Sequence, residues 1–190
     1  IKALCKALDF PYKNTYSTKL NLDKYALTLE EKKKLKEIAK EITEMPLIEI
    51  PEKTKSLRDL SEKDQKIIQR LDEFFWKEIA GMNIGKILFE VNPMGGSEKA
   101  EAVKDAAKKL DMALSDVIYI GDSITDVEAF RLVRENGGLA VSFNGNQYAV
   151  RSAEIAVLSE NSTVTAILVE VFTRFGKQRT LSIVENWSLE

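Results

Sequence analysis

Val117-Ile118-Tyr119-Ile120-Gly121-Asp122-Ser123-Ile124-Thr125-Asp126-Val127-Glu128-Ala129-Phe130 is the stretch that decides the fold. Residues 117–120 form a short apolar run closed by a glycine, which predicts a buried parallel strand. From Val127 to Arg134 the apolar residues recur at helical spacing, which predicts an amphipathic helix. Gly121 to Asp126 is then the bend from the carboxyl end of a strand into a helix, the place where open α/β sheets bind ligands. Two carboxylates, Asp122 and Asp126, stand four residues apart in this bend. Two readings of them are open. A strand-end carboxylate can hold Mg²⁺, which takes one or two carboxylates plus waters and phosphate oxygens. Alternatively, Asp, Ser and Thr here simply cap the following helix.

Working outward, the upstream segment Gly95-Gly96-Ser97-Glu98-Lys99 opens a helix predicted over 97–110, with Ser97 as the expected cap. A lysine in the first turn opposes the helix dipole, which favours anions there. Lys99 is therefore a candidate for neutralising a phosphoryl group and pairing with Asp122 or Asp126; the plain alternative is one exposed lysine among many. Downstream, residues 139–142 read as a strand. Phe143-Asn144-Gly145-Asn146 follows as a turn at the same sheet edge, where Asn144 could wall the pocket.

The alternation continues along the chain. Strands are predicted at 86–91, 117–120, 139–143 and 155–158, with helices at 97–110, 125–134, 147–152 and 163–175. This pattern implies a parallel sheet with right-handed crossovers, beginning near residues 82–86. Residues 28–80 read as helical. Thr28-Leu29-Glu30-Glu31 is a capping box, and Ile67, Ile68, Leu71, Phe74, Phe75 and Ile79 form an apolar stripe ended by Gly81. Phe74, Phe75 and Trp76 are expected in the core. Residues 1–27 are mixed: a short helix at 1–8 stopped by Pro11, then a strand or hairpin arm at 14–22. Residues 176–190 read as a polar tail with a strand-like piece at 181–184.

Composition narrows the chemistry. The 190 residues suffice for one domain or for a core with a small insertion. Histidine is absent, which excludes imidazole metal ligands, Ser-His-Asp triads and Cys-His pairs. The single cysteine, Cys5, cannot form an internal disulfide and fits a reducing cytoplasm. A net charge of −2 gives no reason to expect nucleic acid or an anionic membrane as partner. No apolar run reaches the ~20 residues of a membrane span. Lysine and glutamate dominate the charged residues, a bias shared with hyperthermophile proteins.

Lys99, then Gly-Asp-Ser-Ile-Thr-Asp after an apolar strand, then Ala140-Val141-Ser142-Phe143-Asn144 resembles the carboxyl-terminal half of the haloacid dehalogenase (HAD) superfamily. The resemblance covers residues 86–170, and 23 positions separate Lys99 from Asp122. It implies an α/β fold: a partial HAD-type Rossmann-like parallel sheet with helices on both faces, plus a small helical cap at 28–85. The core would span 86–175, residues 1–27 would pack on the core or the cap, and 176–190 would be the tail. It also implies a Mg²⁺-dependent phosphatase acting on a small phosphorylated metabolite. Lys99 would serve as the third-motif lysine, and Asp122 and Asp126 as acidic metal ligands. Asp126 would have a catalytic part beside Lys99, and Ser123 and Asn144 would line the binding site. The Gly-Gly-Ser-Glu-Lys-Ala turn is similar to archaeal members, including a group labelled as a subunit of an energy-converting hydrogenase.

One departure from the family is large. Its first motif, an apolar strand ending in Asp-x-Asp-x-Thr and carrying the nucleophile, is found nowhere in the chain. Asp9 has no second aspartate two residues on, and Pro11 follows. The second motif has only Thr15, Ser17 or Thr18 to offer, without an apolar strand before them. The expectation is a fragment with the first core strand missing, inactive alone. Its open sheet edge at 117–120 would be filled by a missing amino-terminal segment, a second copy of the chain or one of its own early segments. A non-catalytic binding or regulatory subunit with the same fold remains the alternative, and an unrelated Rossmann-type domain a third.

Overall fold

A computed structural model describes residues 1–51 and 54–187. The chain divides into two compact units, one built from Ile1–Ser17 with Pro93–Glu190 and the other from Thr18–Asn92.

In the first unit, helix α1 (Lys2–Ala7) is followed by a 3₁₀ turn at Tyr12–Asn14. The hydroxyl of Tyr16 donates to Asp105 at 2.6 Å. In the second unit, α2 (Leu29–Glu44) begins at the expected capping box: Glu31 N–H donates to Thr28 Oγ1 at 3.1 Å and Thr28 N–H to Glu31 Oε2 at 2.9 Å. Helix α3 (Glu62–Glu73) is capped by Ser61 and runs into a π-helical segment, Phe74–Ile79. The wider π turn rotates the expected apolar stripe. Phe74 is fully buried under the Arg70 guanidinium, whereas Phe75 and Trp76 are exposed, contrary to their expected place in the core.

Three further expectations are corrected. Residues 86–91 form no strand: a 3₁₀ turn at Ile84–Lys86 leads into the short helix α4 (Ile87–Glu90). A short apolar run cannot by itself distinguish strand from helix. Gly85 folds the chain tightly back, since a Cβ there would lie 2.0 Å from the Ile79 carbonyl oxygen. Between the two compact units the chain passes from one to the other at Asn92 and Pro93. Residues 14–22 form no strand either: residues 15–21 are irregular, between 3₁₀ turns at Tyr12–Asn14 and Leu22–Lys24.

From Pro93 onward the chain follows the predicted alternation. Helix α5 (Ser97–Lys109) precedes strand β1 (Ile118–Gly121), and a 3₁₀ turn at Ile124–Asp126 opens α6 (Val127–Glu135). Strand β2 (Leu139–Phe143), helix α7 (Gln147–Ser152), strand β3 (Ile155–Val157) and helix α8 (Thr163–Glu185) complete it. Among the described residues the sheet has three parallel strands in the order β1-β2-β3, so β1 is an edge strand. Gly121 pairs with Ser142 and Phe143 with Val157, which brings the loops after all three strands to one rim.

The sheet is covered on both faces, and β2 shows why through its period of two. Leu139 and Val141 face a cluster with Ile155, Leu168 and Phe172 of α8, whereas Ala140 faces Phe130 of α6 and Ala149 of α7. The tail is the third correction. Gly176, at φ 72°, breaks α8, and the chain resumes as helix rather than as a polar strand-like tail. Leu181 and Val184 pack partly buried on the sheet cluster. Lys177, just past the break, bonds the Gly138 carbonyl at 2.8 Å and pairs with Glu154 at 2.7 Å. Residues 188–190 of the expected tail lie outside the described residues.

Candidate functional site at the carboxyl rim of β1

Asp126 is the centre of the site. It closes the 3₁₀ turn that converts β1 into α6, and it is only 2% exposed. Its Oδ2 accepts the N–H groups of Asp122 at 3.1 Å and Ser123 at 3.0 Å, together with the Ser123 hydroxyl at 3.1 Å. Its Oδ1 accepts Lys99 Nζ and the Tyr119 phenol, both at 2.7 Å. Burial works against the charge on this carboxylate. The hydrogen bonds from Lys99, Tyr119, Ser123 and Asp122 outweigh burial and hold its pKa down to about 2. Gly121 is required for this packing, since a Cβ there would sit 2.5 Å from the Asp126 carboxyl carbon.

Lys99 reaches the carboxylate from the first turn of α5. The cap of that helix is Gly96, at φ 53°, rather than Ser97. Gly96 N–H donates to the Thr125 carbonyl at 3.0 Å, which ties the lysine turn to the acidic bend. Lys99 Nζ also donates to Thr125 Oγ1 at 3.0 Å. The ammonium that opposes the dipole of its own helix is thus held by a buried carboxylate and a hydroxyl from the neighbouring turn. A groove of ≈ 360 Å³ runs along this side of α5, lined by Lys99, Ala102, Val103 and Ala106 together with Tyr119, Asn14 and Tyr16.

Asp122 is placed differently. Its backbone is fixed, N–H to Asp126 and carbonyl from Asn146 N–H at 2.8 Å, but its carboxylate is exposed and accepts no bond from a described residue. Ser123 Oγ is shared between Asp126 and Thr125 Oγ1 at 2.9 Å. Asn144, in the left-handed region at φ 49°, uses both ends of its amide on the Ser159 backbone at 2.8 and 2.9 Å. It locks the loop after β2 to the loop after β3. The structure therefore brings together Lys99, Asp126, Ser123 and the Asp122 backbone, and spends the Asn144 side chain on holding the rim.

A family model described as haloacid dehalogenase-like hydrolase matches residues 4–167. The chain belongs to the haloacid dehalogenase-like hydrolase family. A solved structure, gene product AF1437 from Archaeoglobus fulgidus, superposes over 99% of this chain with a TM-score of 0.74 at 22% sequence identity. That likeness supports the α/β fold. The chain spans about half of that protein's length, 52%. No curated protein matches the chain.

The donors at the rim bear differently on the magnesium ion that HAD-like membership implies. The Asp122 carboxylate fits it: an exposed hard-oxygen donor, uncommitted among the described residues, with room for waters. Mg²⁺ needs only one or two such groups beside phosphate oxygens. Asp126 does not fit as a direct ligand, because five protein donors already occupy its two oxygens. One of those donors is the Lys99 ammonium. No group of three or more acidic or sulfur side chains clusters as a ready-made metal cage among the described residues.

Tyr119, which in the sequence is one more apolar strand residue, joins this cluster through its phenol. It pairs with Ala140 in the sheet, and its ring meets Phe130 edge to face with centroids 5.5 Å apart. A half-buried phenol generally takes a hydrogen-bond partner. An acid seven residues on, past a strand-to-helix bend, was the available signal.

Proposed function

We propose that this chain carries the phosphoryl-binding half of a Mg²⁺-dependent phosphomonoester hydrolase acting on a small phosphorylated metabolite. The observation that supports the reading most is the Lys99 ammonium fixed 2.7 Å from Asp126 at the strand rim, beside the uncommitted carboxylate of Asp122. Lysine ammonium carries three N–H donors, and Thr125 and Asp126 engage two of them. Among the described residues the third is left for a phosphoryl oxygen, whose charge the ammonium offsets as the P–O ester bond breaks. Asp126 keeps the ammonium charged and directed, and Ser123 braces Asp126. Asp122 would hold the metal ion, which when bound supplies charge neutralisation and orientation of the phosphoryl oxygens.

The nucleophile in this reading is a carboxylate from outside these 190 residues, delivered on an extended segment that pairs in parallel with β1. Two observations support that occupant. β1 has a bare edge among the described residues, and bare apolar parallel edges are normally paired. Helix α5 packs on α6 and on the 3₁₀ turn at Ile124–Asp126, while its small residues Ala102, Val103 and Ala106 line a groove with Tyr119. The attacking carboxylate oxygen would bond to phosphorus as the ester oxygen leaves with the electron pair and takes a proton, and water would then release phosphate from the aspartyl phosphate.

The test combines binding and turnover. The chain should bind tungstate, a phosphate mimic, in the presence of Mg²⁺, lose that binding on Lys99→Ala, and hydrolyse p-nitrophenyl phosphate no faster than buffer. A longer chain including the residues encoded before Ile1 should hydrolyse it. No tungstate binding overturns the phosphoryl site. Turnover by the present chain, abolished by Asp122→Asn, overturns the external nucleophile. Binding with no turnover in the longer chain assigns the protein to a non-catalytic binding or regulatory subunit. A dimer in light scattering, broken by Tyr119→Pro, assigns the edge to a second copy.

A further inference from the structure

We propose that Tyr119 is a positioning residue for Lys99: its phenol pins the Asp126 oxygen that fixes the direction of the ammonium's remaining N–H. The proposal rests on the reading above, in which that N–H meets a phosphoryl oxygen.

The acceptor count carries the argument. A carboxylate oxygen offers about two lone-pair sites. Asp126 Oδ2 is more than filled: the Asp122 and Ser123 amides and the Ser123 hydroxyl share its two sites among three donors. Oδ1 is filled by Lys99 and Tyr119, each at 2.7 Å. Tyr119 thus supplies the last donor that completes the shell. Without it Oδ1 keeps an open site, which water, a rotated lysine N–H or a cation can take. Lys99 has four side-chain torsions and a freely rotating ammonium, so its direction is set by its acceptors alone. Thr125 Oγ1 is one of them, and it is itself shared with Ser123. Oδ1 is the other, and Tyr119 is what immobilises it.

The ring is suited to this part. It is held edge-on by the fully buried Phe130, and it stands on β1, the element that also delivers Gly121 and Asp122. It lines the same groove as Lys99. One rigid side chain on the sheet therefore links the strand register to the orientation of a flexible lysine in helix α5.

The test is Tyr119→Phe, which removes one oxygen and keeps the ring. Three measurements are made on the full chain: the thermal midpoint, the ¹⁵N NMR signal of the Lys99 side-chain ammonium (assigned by its loss in Lys99→Ala), and tungstate affinity with Mg²⁺ present. The expected result is a midpoint within a few degrees of wild type, exchange broadening of the Lys99 signal, and tungstate binding weaker by roughly tenfold, the scale of one hydrogen bond. An unchanged Lys99 signal in Tyr119→Phe overturns the proposal. A wild-type protein that does not bind tungstate, but whose Lys99 signal broadens in Tyr119→Phe, overturns the phosphoryl reading and leaves the positioning part standing.

Discussion

Lys99 and Asp126 are 27 positions apart in the chain and 2.7 Å apart in space, with side chains 26% and 3% exposed. A buried ion pair is expensive to desolvate, and breaking one partner away costs more than the pair contributes. Asp126→Asn therefore leaves the lysine facing an amide that cannot replace the charge, and it disturbs the bend through the Asp122 and Ser123 amides. The expected loss of stability is about 3 kcal/mol, read from urea or thermal unfolding.

The same carboxylate sets an acid limit. Its folded pKa of about 2 lies below the ordinary 3.8, so the unfolded chain binds the proton more readily. The stabilisation is full above the unfolded value and is lost as pH falls from near 4 through about 2. It amounts to about 2 kcal/mol. Acid titration of the unfolding free energy should show a steeper decline in that window for wild type than for Asp126→Asn, and equal slopes would remove Asp126 from the acid response.

Gly121→Ala tests the close approach that lets the carboxylate sit under its own strand. The new methyl would lie 2.5 to 2.9 Å from three atoms of the Asp126 side chain, so Asp126 must move. The cost of such overpacking is about 1 to 3 kcal/mol, with loss of the Lys99 contact. Gly96→Ala makes the contrast. Nothing lies within 4 Å of its Cβ position, and the penalty is torsional: φ 53° with ψ −120° is a combination that only glycine adopts readily, at a cost of about 1 to 3 kcal/mol for other residues. Stability measurements on the two variants should separate steric from torsional cost.

Much of the carboxyl-terminal unit was legible because its signals are local and mutually consistent. The apolar run before Gly121, the capping residues after it and the amphipathic pattern of residues 127–134 all specify one strand-to-helix bend, and β1, β2 and α7 follow the expected spans closely. The rest depended on information that periodicity does not hold. Residues 87–90 become helix after a tight turn in which Gly85 packs against Ile79 and Ala80. Phe75 turns outward because a π segment shifts the face. Residues 177–185 remain helical because Leu181 and Val184 find the sheet cluster. In the site, the acids and the lysine are visible as residue types, whereas the division of labour between Asp122 and Asp126 follows from which backbone amides point at which oxygen.

Asn144 separates a rim-holding role from a ligand role. Its amide closes a two-bond clasp on Ser159, and its φ of 49° suits asparagine or glycine. Asn144→Gly keeps the backbone and loses both bonds, for an expected cost of about 2 kcal/mol. Asn144→Ala adds torsional strain and should cost more. Tungstate affinity should fall little in Asn144→Gly. A collapse of binding at unchanged stability would instead place the amide on the ligand.

Asp122→Asn isolates the metal-binding function from the architecture. The carboxylate is exposed and accepts no bond from a described residue, and only its backbone is needed by Asp126 and Asn146. The substitution should therefore shift stability by less than about 0.5 kcal/mol, the range of surface changes that break no specific contact. Divalent-cation binding should respond strongly. Mn²⁺, used as a paramagnetic stand-in for Mg²⁺, should broaden the amide resonances of residues 121–126 in the wild type. The same titration should leave them sharp in Asp122→Asn and still broaden them in Tyr119→Phe, whose Asp122 is intact. Broadening that persists in Asp122→Asn but vanishes in Asp126→Asn would transfer the metal to Asp126 and would require at least one of its five hydrogen bonds to open.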